Sequence, residues 1–310
     1  MGVVQHETVL LSEAVEALVT DPKGCYVDGT YGRGGHAMAI LKRLASSGCL
    51  LVIDKDPKAI AHAKQHIGQD KRVMIEHGSF AEMSALAEKR QLGGAVTGVL
   101  LDLGVSSPQL DDPARGFSFT QDGPLDMRMD SSAGMSAADW IAVASEQEIA
   151  CILKDFGEER FAKRMARAIV EERQRKPIVT TKHLADIVTA ANPAWEKHKH
   201  PATRAFQAIR IYINRELADL TDVLEQALEL LSVGGRLVVI SFHSLEDRLV
   251  KHFIRDQEKG PTLPRYLPIR ADQIKQRLRH IGKAVRASDA EVQANVRARS
   301  AIMRIAEKVA

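Results

Sequence analysis

The sequence predicts an α/β fold: an open, mainly parallel sheet with an inserted, mainly helical domain. Three observations carry that prediction. Short apolar runs at 25–27, 49–53, 73–76 and 96–101 alternate with stretches of helical spacing, the pattern of strands joined by crossover helices. The alternation stops after position 110 for about a hundred residues and resumes at 216. At 310 residues the chain is long enough for a full α/β domain and a second unit of ordinary size. The expected division is a discontinuous sheet domain, 1–110 with 216–310, around an insertion at 111–215.

Residues 8–19 set Leu11, Val15 and Leu18 at helical spacing, and Asp21–Pro22–Lys23–Gly24 closes that helix as a turn. The first strand, Cys25 to Val27, ends in Asp28 and runs into Gly29, Gly32, Gly34 and Gly35 before a helix over 37–41. Strand, glycine turn and helix start make a nucleotide-type loop: glycine admits close backbone approach, and amides at a helix start favour electron-rich groups. The spacing G-x-x-G-x-G-G misses the dinucleotide fingerprint G-x-G-x-x-G. Asp28, Gly32 and Gly34 instead resemble the first motif of the class I S-adenosylmethionine (AdoMet) methyltransferases. The glycine usual two residues after the acid is Thr30 here.

The second strand, Cys49 to Ile53, ends at Asp54, an acid placed to accept hydrogen bonds from the two hydroxyls of a ribose. Asp56–Pro57 then opens a helix. After the third strand, Val73 to Glu76, Phe80 stands at the carboxyl edge, where ligands lie in an open parallel sheet. Phe80 reads either as a cover for an adenine face or as a core phenylalanine. The fourth strand, Val96 to Leu101, ends in Asp102 and the polar loop Ser106–Ser107–Pro108–Gln109. That loop is a loose relative of the (Asp/Asn/Ser)-Pro-Pro-aromatic loop by which exocyclic-amine methyltransferases hold the amine. Asp102 reads as a holder of the AdoMet amino group or of the acceptor amine, or as a cap on the turn.

Residues 111–131 are turn-rich, and 136–215 read as helices, with Ser136 and Asp139 in capping-box spacing. The insertion carries 16 Lys and Arg against 15 Asp and Glu, but its cations cluster: Arg164 and Arg167 on one amphipathic helix, Lys197 to Lys199 and Arg204 farther on. It reads as a cover for the cofactor cleft that grips substrate, or as a lid with solvated charges. The α/β pattern resumes with Leu217, Leu220, Leu224, Leu228 and Leu231, then Gly234–Gly235 and a fifth strand over 237–244. Phe242 and His243 close it, one suited to stacking on a base, the other to acting as a base or, more simply, as a structural histidine. Prolines 261, 264 and 268 punctuate the tail, and alternating Ala301, Met303 and Ile305 suit a last edge strand.

Net charge is only +3, yet residues 251–310 hold 14 Lys and Arg against six acids. A polyanionic partner and a solvated helical surface both fit that excess. No stretch of 18 apolar residues occurs and the N-terminus lacks a signal layout, so a cytoplasmic protein with no membrane partner is expected. Cys25, Cys49 and Cys151 show no metal or disulfide spacing; the two beside predicted strands, Cys25 and Cys49, read as buried thiols in a reducing cytoplasm, and no metal is expected.

Several longer motifs resemble one family: HETVLL at 6–11, DGTYGRGGH at 28–36, DLGVSSPQLDD at 102–112, RGFSF at 115–119, GPLDMRM at 123–129, GEERFA at 157–162 and SFHSLEDR at 241–248. The family is the bacterial small-subunit ribosomal RNA methyltransferase H, and the match runs nearly end to end. In that family the threonine at Thr30 is normal. The resemblance implies AdoMet as methyl donor and N4 of a cytidine in 16S rRNA as acceptor, at position 1402 of the P-site decoding region. It places cofactor contacts on Gly34, Gly35, His36, Asp54, Phe80, Asp102 and Gln109. It also implies the small ribosomal subunit as partner, a cytoplasmic location and a homodimer as an available state.

Cytosine N4 is a poor nucleophile because its lone pair is delocalised into the ring, so alignment and hydrogen-bond acceptors are the expected catalytic devices. Asp102, Ser106 and Ser107 are the candidate acceptors. Phe117, Phe119, Phe242 and His243 are the candidates for holding a splayed base, and Arg164, Arg167 and Arg204 for holding phosphates. Two rival classes stand beside this reading: a nucleotide-dependent oxidoreductase, disfavoured by the missing fingerprint, and a non-catalytic RNA-binding factor.

Overall fold

A computed structural model describes residues 8–195, 200–260 and 276–310. His6 and Glu7, Lys197 to Lys199, and the prolines at 261, 264 and 268 lie outside the described residues. The chain divides into two compact units, Met1–Gly104 with Leu217–Ala310, and Val105–Glu216. The first division falls after Gly104, earlier than position 110, because Val105 and Leu110 pack against the core of the second unit.

The strands are β1 (Cys25–Asp28), β2 (Cys49–Asp54), β3 (Val73–His77), β4 (Val96–Asp102), β5 (Leu231–Ser241), β6 (Leu278–His280), β7 (Val285–Arg286) and β8 (Ile302–Lys308). The helices are α1 (Leu11–Leu18), α2 (Gly35–Arg43), α3 (Pro57–His66), α4 (Met83–Lys89), α5 (Ser107–Asp111), α6 (Ala137–Val143), α7 (Glu146–Asp155), α8 (Ala162–Arg175), α9 (Thr181–Ala191), α10 (Ala202–Ile213), α11 (Glu216–Leu230), α12 (Ser244–Lys259) and α13 (Asp289–Ala294).

All eight strands belong to the first unit and run in the order β3-β2-β1-β4-β5-β8-β6, with β7 also paired to β8. The pairs among β1 to β5 are parallel, and β8 is antiparallel to β5, β6 and β7. This is the class I methyltransferase sheet. Two strand expectations need correcting. The last strand, β8, is not an edge, since β6 and β7 pair along its far side. The fifth strand ends at Ser241 and not at 244, since His243 caps α12 and Ser244 begins it.

Period-two alternation sorts the strand side chains between two cores. Val27, Leu51, Ile53, Val99 and Leu101 face one layer, with Met83 of α4, Leu220, Leu224 and Leu228 of α11, and Val250 and Ile254 of α12. Tyr26, Leu50, Val52 and Leu100 face the other, with Leu18 of α1, Ile40 of α2 and Ala63 of α3. Burying both faces of β1, β2 and β4 explains why their sequences are nearly continuous apolar runs and do not alternate. Each fully buried aliphatic side chain contributes about 2 kcal/mol of transfer free energy.

The thiols of Cys25 and Cys49, expected as separate, are joined in a disulfide. Parallel pairing puts them in register on neighbouring strands with Cα atoms 4.5 Å apart, a proximity that a sequence separation of 24 does not reveal. Cys151 is the exposed cysteine.

The second unit is built on α5 to α10 around Trp140, Leu153, Met165, Ile169, Leu184, Phe206 and Ile209. Ser136 and Asp139 form the expected capping box at α6, while Ser145 and Thr180 cap α7 and α9. Each such cap contributes about 1 kcal/mol by satisfying an orphan amide. No helix among the described residues is long and apolar enough to cross a membrane.

Candidate active site

The glycine loop leaves β1 through close backbone packing. A side chain at Gly29 would meet Leu101 at 2.7 Å and Met83 at 3.1 Å. Gly34 adopts φ +77°, and a Cβ there would lie 2.6 Å from the Tyr31 hydroxyl. Glycine is therefore required at Gly34 for both its backbone and its space. Tyr31, buried under the loop, contacts Nδ1 of His62 on α3 through that hydroxyl at 3.0 Å.

Three carboxyl groups stand along the carboxyl edge, at the ends of β1, β2 and β4. Asp28 is wholly buried, and burial pushes its carboxyl up to about 7, against the hydrogen bond it accepts from the Thr30 amide at 3.1 Å. Asp54 rises to about 6 for the same reason, although it accepts the amides of Asp56 at 2.8 Å and Gly32 at 2.7 Å. Asp102 is pushed well above the carboxylate range by burial and then by the charges of Asp28 and Glu246. Its side chain still leaves 24% of its surface open. His36, near the start of α2, lies 3.6 Å from Asp102 through Nδ1, but burial lowers the imidazole to about 4. The contact therefore joins a neutral ring to a carboxyl group.

Asp28 Oδ2, Asp102 Oδ1 and His36 Nε2 are buried with no hydrogen-bond partner among the described residues. Such atoms cost about 1–3 kcal/mol each if nothing answers them. Two orphaned carboxyl oxygens and a ring nitrogen beside a glycine loop fit a cationic ligand with amine and hydroxyl donors. AdoMet has that chemistry: an ammonium, a sulfonium and a ribose diol.

Phe80 opens a 3-10 turn capped by Ser79 and is half-buried against the sheet core. Gly34, Gly35, His36, Asp54, Phe80 and Asp102 thus all lie in the first unit. Gln109, Ser106 and Ser107 lie in the second. There Ser106 caps α5, and the Gln109 side-chain oxygen accepts the Ser106 amide at 2.9 Å.

The base-stacking expectation for Phe117 needs correcting. Its ring is only 6% exposed within the second core, so stacking on a base would require unpacking it. Phe119 is half-buried, edge-on to Phe206 at 4.8 Å and tilted against His200 at 4.6 Å. Arg164 is exposed on α8, Arg167 pairs with Glu171 at 2.8 Å, and Arg204 donates to the Glu158 carbonyl at 2.8 Å. In the first unit, Phe242 is half-buried and His243 is the N-cap of α12, its Nδ1 accepting the Glu246 amide at 3.4 Å. His243 thus serves as a cap, while its Nε2, like that of His36, is buried without a hydrogen-bond partner among the described residues.

Several contacts that organise this edge go beyond what the sequence reading assigns. The Thr30 hydroxyl accepts the Asp102 amide at 2.6 Å, tying the glycine loop to the end of β4, a link glycine could not make. Asp219 of α11 accepts Lys55 and Ser79, each at 2.7 Å, fixing the loops after β2 and β3. Glu246 accepts the Phe242 amide at 2.8 Å. Its spacing from His243 is a capping box with histidine in the serine position, a signal the sequence did carry. Asp219 has no local signature, since its partners come from 140 and 164 residues away.

The family model described as the MraW methylase family matches residues 3–309. The ribosomal RNA small subunit methyltransferase H of Chromohalobacter salexigens is 58% identical over 306 residues, which are 98% of this chain and 92% of the relative. Among solved structures, an rRNA methylase from Streptococcus thermophilus aligns at 11% identity and TM-score 0.42, over 96% of this chain and 92% of its own. A SAM-dependent O-methyltransferase from Thermotoga maritima aligns at 11% identity and TM-score 0.41, over 96% and 64%. These structural likenesses are too low to bear on the fold, which the strand order settles. Matched over nearly all of its length, the chain belongs to the MraW methylase family.

Proposed function

We propose that this protein transfers a methyl group from AdoMet to the exocyclic N4 of a cytidine in 16S rRNA of the small ribosomal subunit. The observation that carries the reading is the 58% identity, over nearly the whole chain, to a ribosomal RNA small subunit methyltransferase H. The orphaned carboxyl oxygens at the carboxyl edge support it. Bound AdoMet supplies a methyl group already activated on sulfur. The protein's residues supply position and proton acceptance.

Asp54 takes the ribose hydroxyls, Phe80 the adenine, and Gly34, Gly35 and His36 line the methionine side, with Gln109 as a further contact. Asp28 and Asp102 answer the positive charge. Asp102 also accepts from N4, with Ser106 and Ser107 as additional acceptors, which pulls the nitrogen lone pair out of conjugation. A carboxylate with a raised pKa is the better base for the proton that N4 must lose. Arg164, Arg167 and Arg204 hold phosphates, and Phe119 and Phe242 are the aromatic rings nearest to availability for a splayed base. The work is placed in the cytoplasm, where the small subunit is assembled. A homodimer rests on the family resemblance alone and is decided by sedimentation.

The test is transfer of labelled methyl to small subunits from a strain lacking the activity, followed by nucleoside analysis. Label in N4-methylcytidine is expected. Label in another nucleoside, or none, sinks the assignment.

A further inference from the structure

Apart from the acids of the carboxyl edge, a cavity of about 260 Å³ lies between α12, the segment that joins β6 to β7, and β8. Its polar lining is Lys251, Arg255 and Glu258 from α12, His280 from the end of β6, Lys283 from the link to β7, and Arg304 from β8. The helix residues follow from spacing: Ile254, buried in the first core, roots the helix, and Lys251, Arg255 and Glu258 recur around it at three, four and seven residues along one face.

The charges here are arranged to hold something. Arg304 is clamped by Asp247 through two bonds, Nε to Oδ1 at 2.7 Å and Nη2 to Oδ2 at 3.0 Å. That fixes the guanidinium while leaving further N–H donors on its fork. Glu258, the carboxylate in the lining, is committed to His280 at 2.7 Å. Arg255 pairs with its exposed neighbour Asp256. Neither Lys251 nor Lys283 has an ion-pair partner among the described residues. The cavity thus offers two ammonium groups and a preoriented guanidinium. It is smaller and more polar than a typical apolar ligand pocket, and its size and donors suit a phosphate with part of its sugar.

Its position gives the phosphate a source. Leu101 of β4 pairs with Val239 of β5, and Val239 pairs with Arg304 of β8. Arg304 therefore stands on the row of the sheet just before Asp102, two strands over, which is about 10 Å at the usual strand spacing. Leu101, Val239 and Arg304 share the face that α12 covers, whereas Asp102 faces His36 of α2, so the phosphate that meets the cavity belongs to the strand as it passes round the carboxyl edge and not to the linkage next to Asp102.

We propose that this cavity binds a backbone phosphate of the RNA strand that carries the methylated nucleotide, and so sets the strand on the enzyme. The inference rests on the RNA-methylating reading above. The experiment uses the full chain and the pair Lys251→Gln with Lys283→Gln, two exposed side chains outside the cores. Binding of a labelled single-stranded RNA spanning the target cytidine is measured by anisotropy across a salt series, beside KM for small subunits. The double variant is expected to bind RNA about tenfold more weakly and to raise KM for subunits similarly, with AdoMet affinity unchanged. Its slope of log affinity on log salt shrinks by about 0.7 for each phosphate that is no longer neutralised. Lys251→Arg with Lys283→Arg restores both.

Unchanged RNA affinity and slope in the Gln pair overturn the inference. A thermal shift by inorganic phosphate that the Gln pair abolishes, with RNA binding intact, marks a free-anion site and also overturns it. Failure of the wild-type protein to methylate subunits counts against the function reading instead, and the anisotropy series still decides the cavity.

Discussion

The two units differ in how they treat most of their buried amide and acidic groups, although Thr189 Oγ1 of the second unit is also left unanswered among the described residues. In the second unit, Asn214 donates to the carbonyls of Met127 at 2.7 Å and Arg210 at 2.9 Å and accepts the Met129 amide at 2.7 Å. Arg115 donates to the carbonyls of Arg128 and Met129, and Arg173 to those of Ile141 and Ala144. In the first unit, the acids at the carboxyl edge keep oxygens that nothing answers among the described residues. A satisfied buried network holds a fold together. An unsatisfied one costs stability and persists where a ligand completes it. The difference is the one expected where a ligand completes the carboxyl edge of the first unit.

The sharpest attempt to break that comparison is Asp102→Asn. If the edge acids serve the reaction, methyl transfer falls on the order of 10²-fold while thermal stability holds or rises, because a buried repulsion with Asp28 is removed. Normal transfer with normal AdoMet affinity, measured by single-turnover assay and calorimetry, would remove Asp102 from the site. The reciprocal variant is Asn214→Ala. Three backbone groups are left without their partner, and denaturant unfolding should show a loss of at least about 2 kcal/mol, with activity per folded molecule kept.

The smallest expected effect is a pH dependence. Asp28 is raised to about 7, so between the ordinary carboxylate range and pH 7 the unfolded chain ionises this group and the folded chain does not. Its contribution to stability is therefore lost as pH rises across that window and is flat above it. AdoMet, held as a cation by the ionised form, should bind more tightly over the same window and level off near 7. Asp28→Asn should make both curves shallower, and a binding profile identical to wild type would separate Asp28 from the ligand.

Much of this is legible in the sequence, and the reasons differ by residue. Asp28, Asp54 and Asp102 each end an apolar run, so strand periodicity alone placed them on one edge. Gly34 was marked by its spacing, and the positive φ supplies the reason. Phe117 was misplaced because a phenylalanine in a turn-rich stretch looks exposed, whereas the helices that enclose it are remote in sequence. The Cys25–Cys49 disulfide is invisible in the sequence because cysteine spacing says nothing about which strands become neighbours. Asp219 leaves no trace, and Thr30 shows only as a threonine where glycine is usual, because their roles are contacts between distant loops.

By itself, then, the sequence determined the sheet, the interrupting helical unit, the cofactor class and the family, since periodicity, glycine spacing and long motifs are all local or linear. Only the tertiary structure decided which polar atoms are left unanswered, which aromatic rings are core, and that four cationic side chains from α12, the β6–β7 link and β8 converge on one cavity. Those facts depend on distances between segments far apart in the chain, and burial turns such distances into energies that no local pattern encodes.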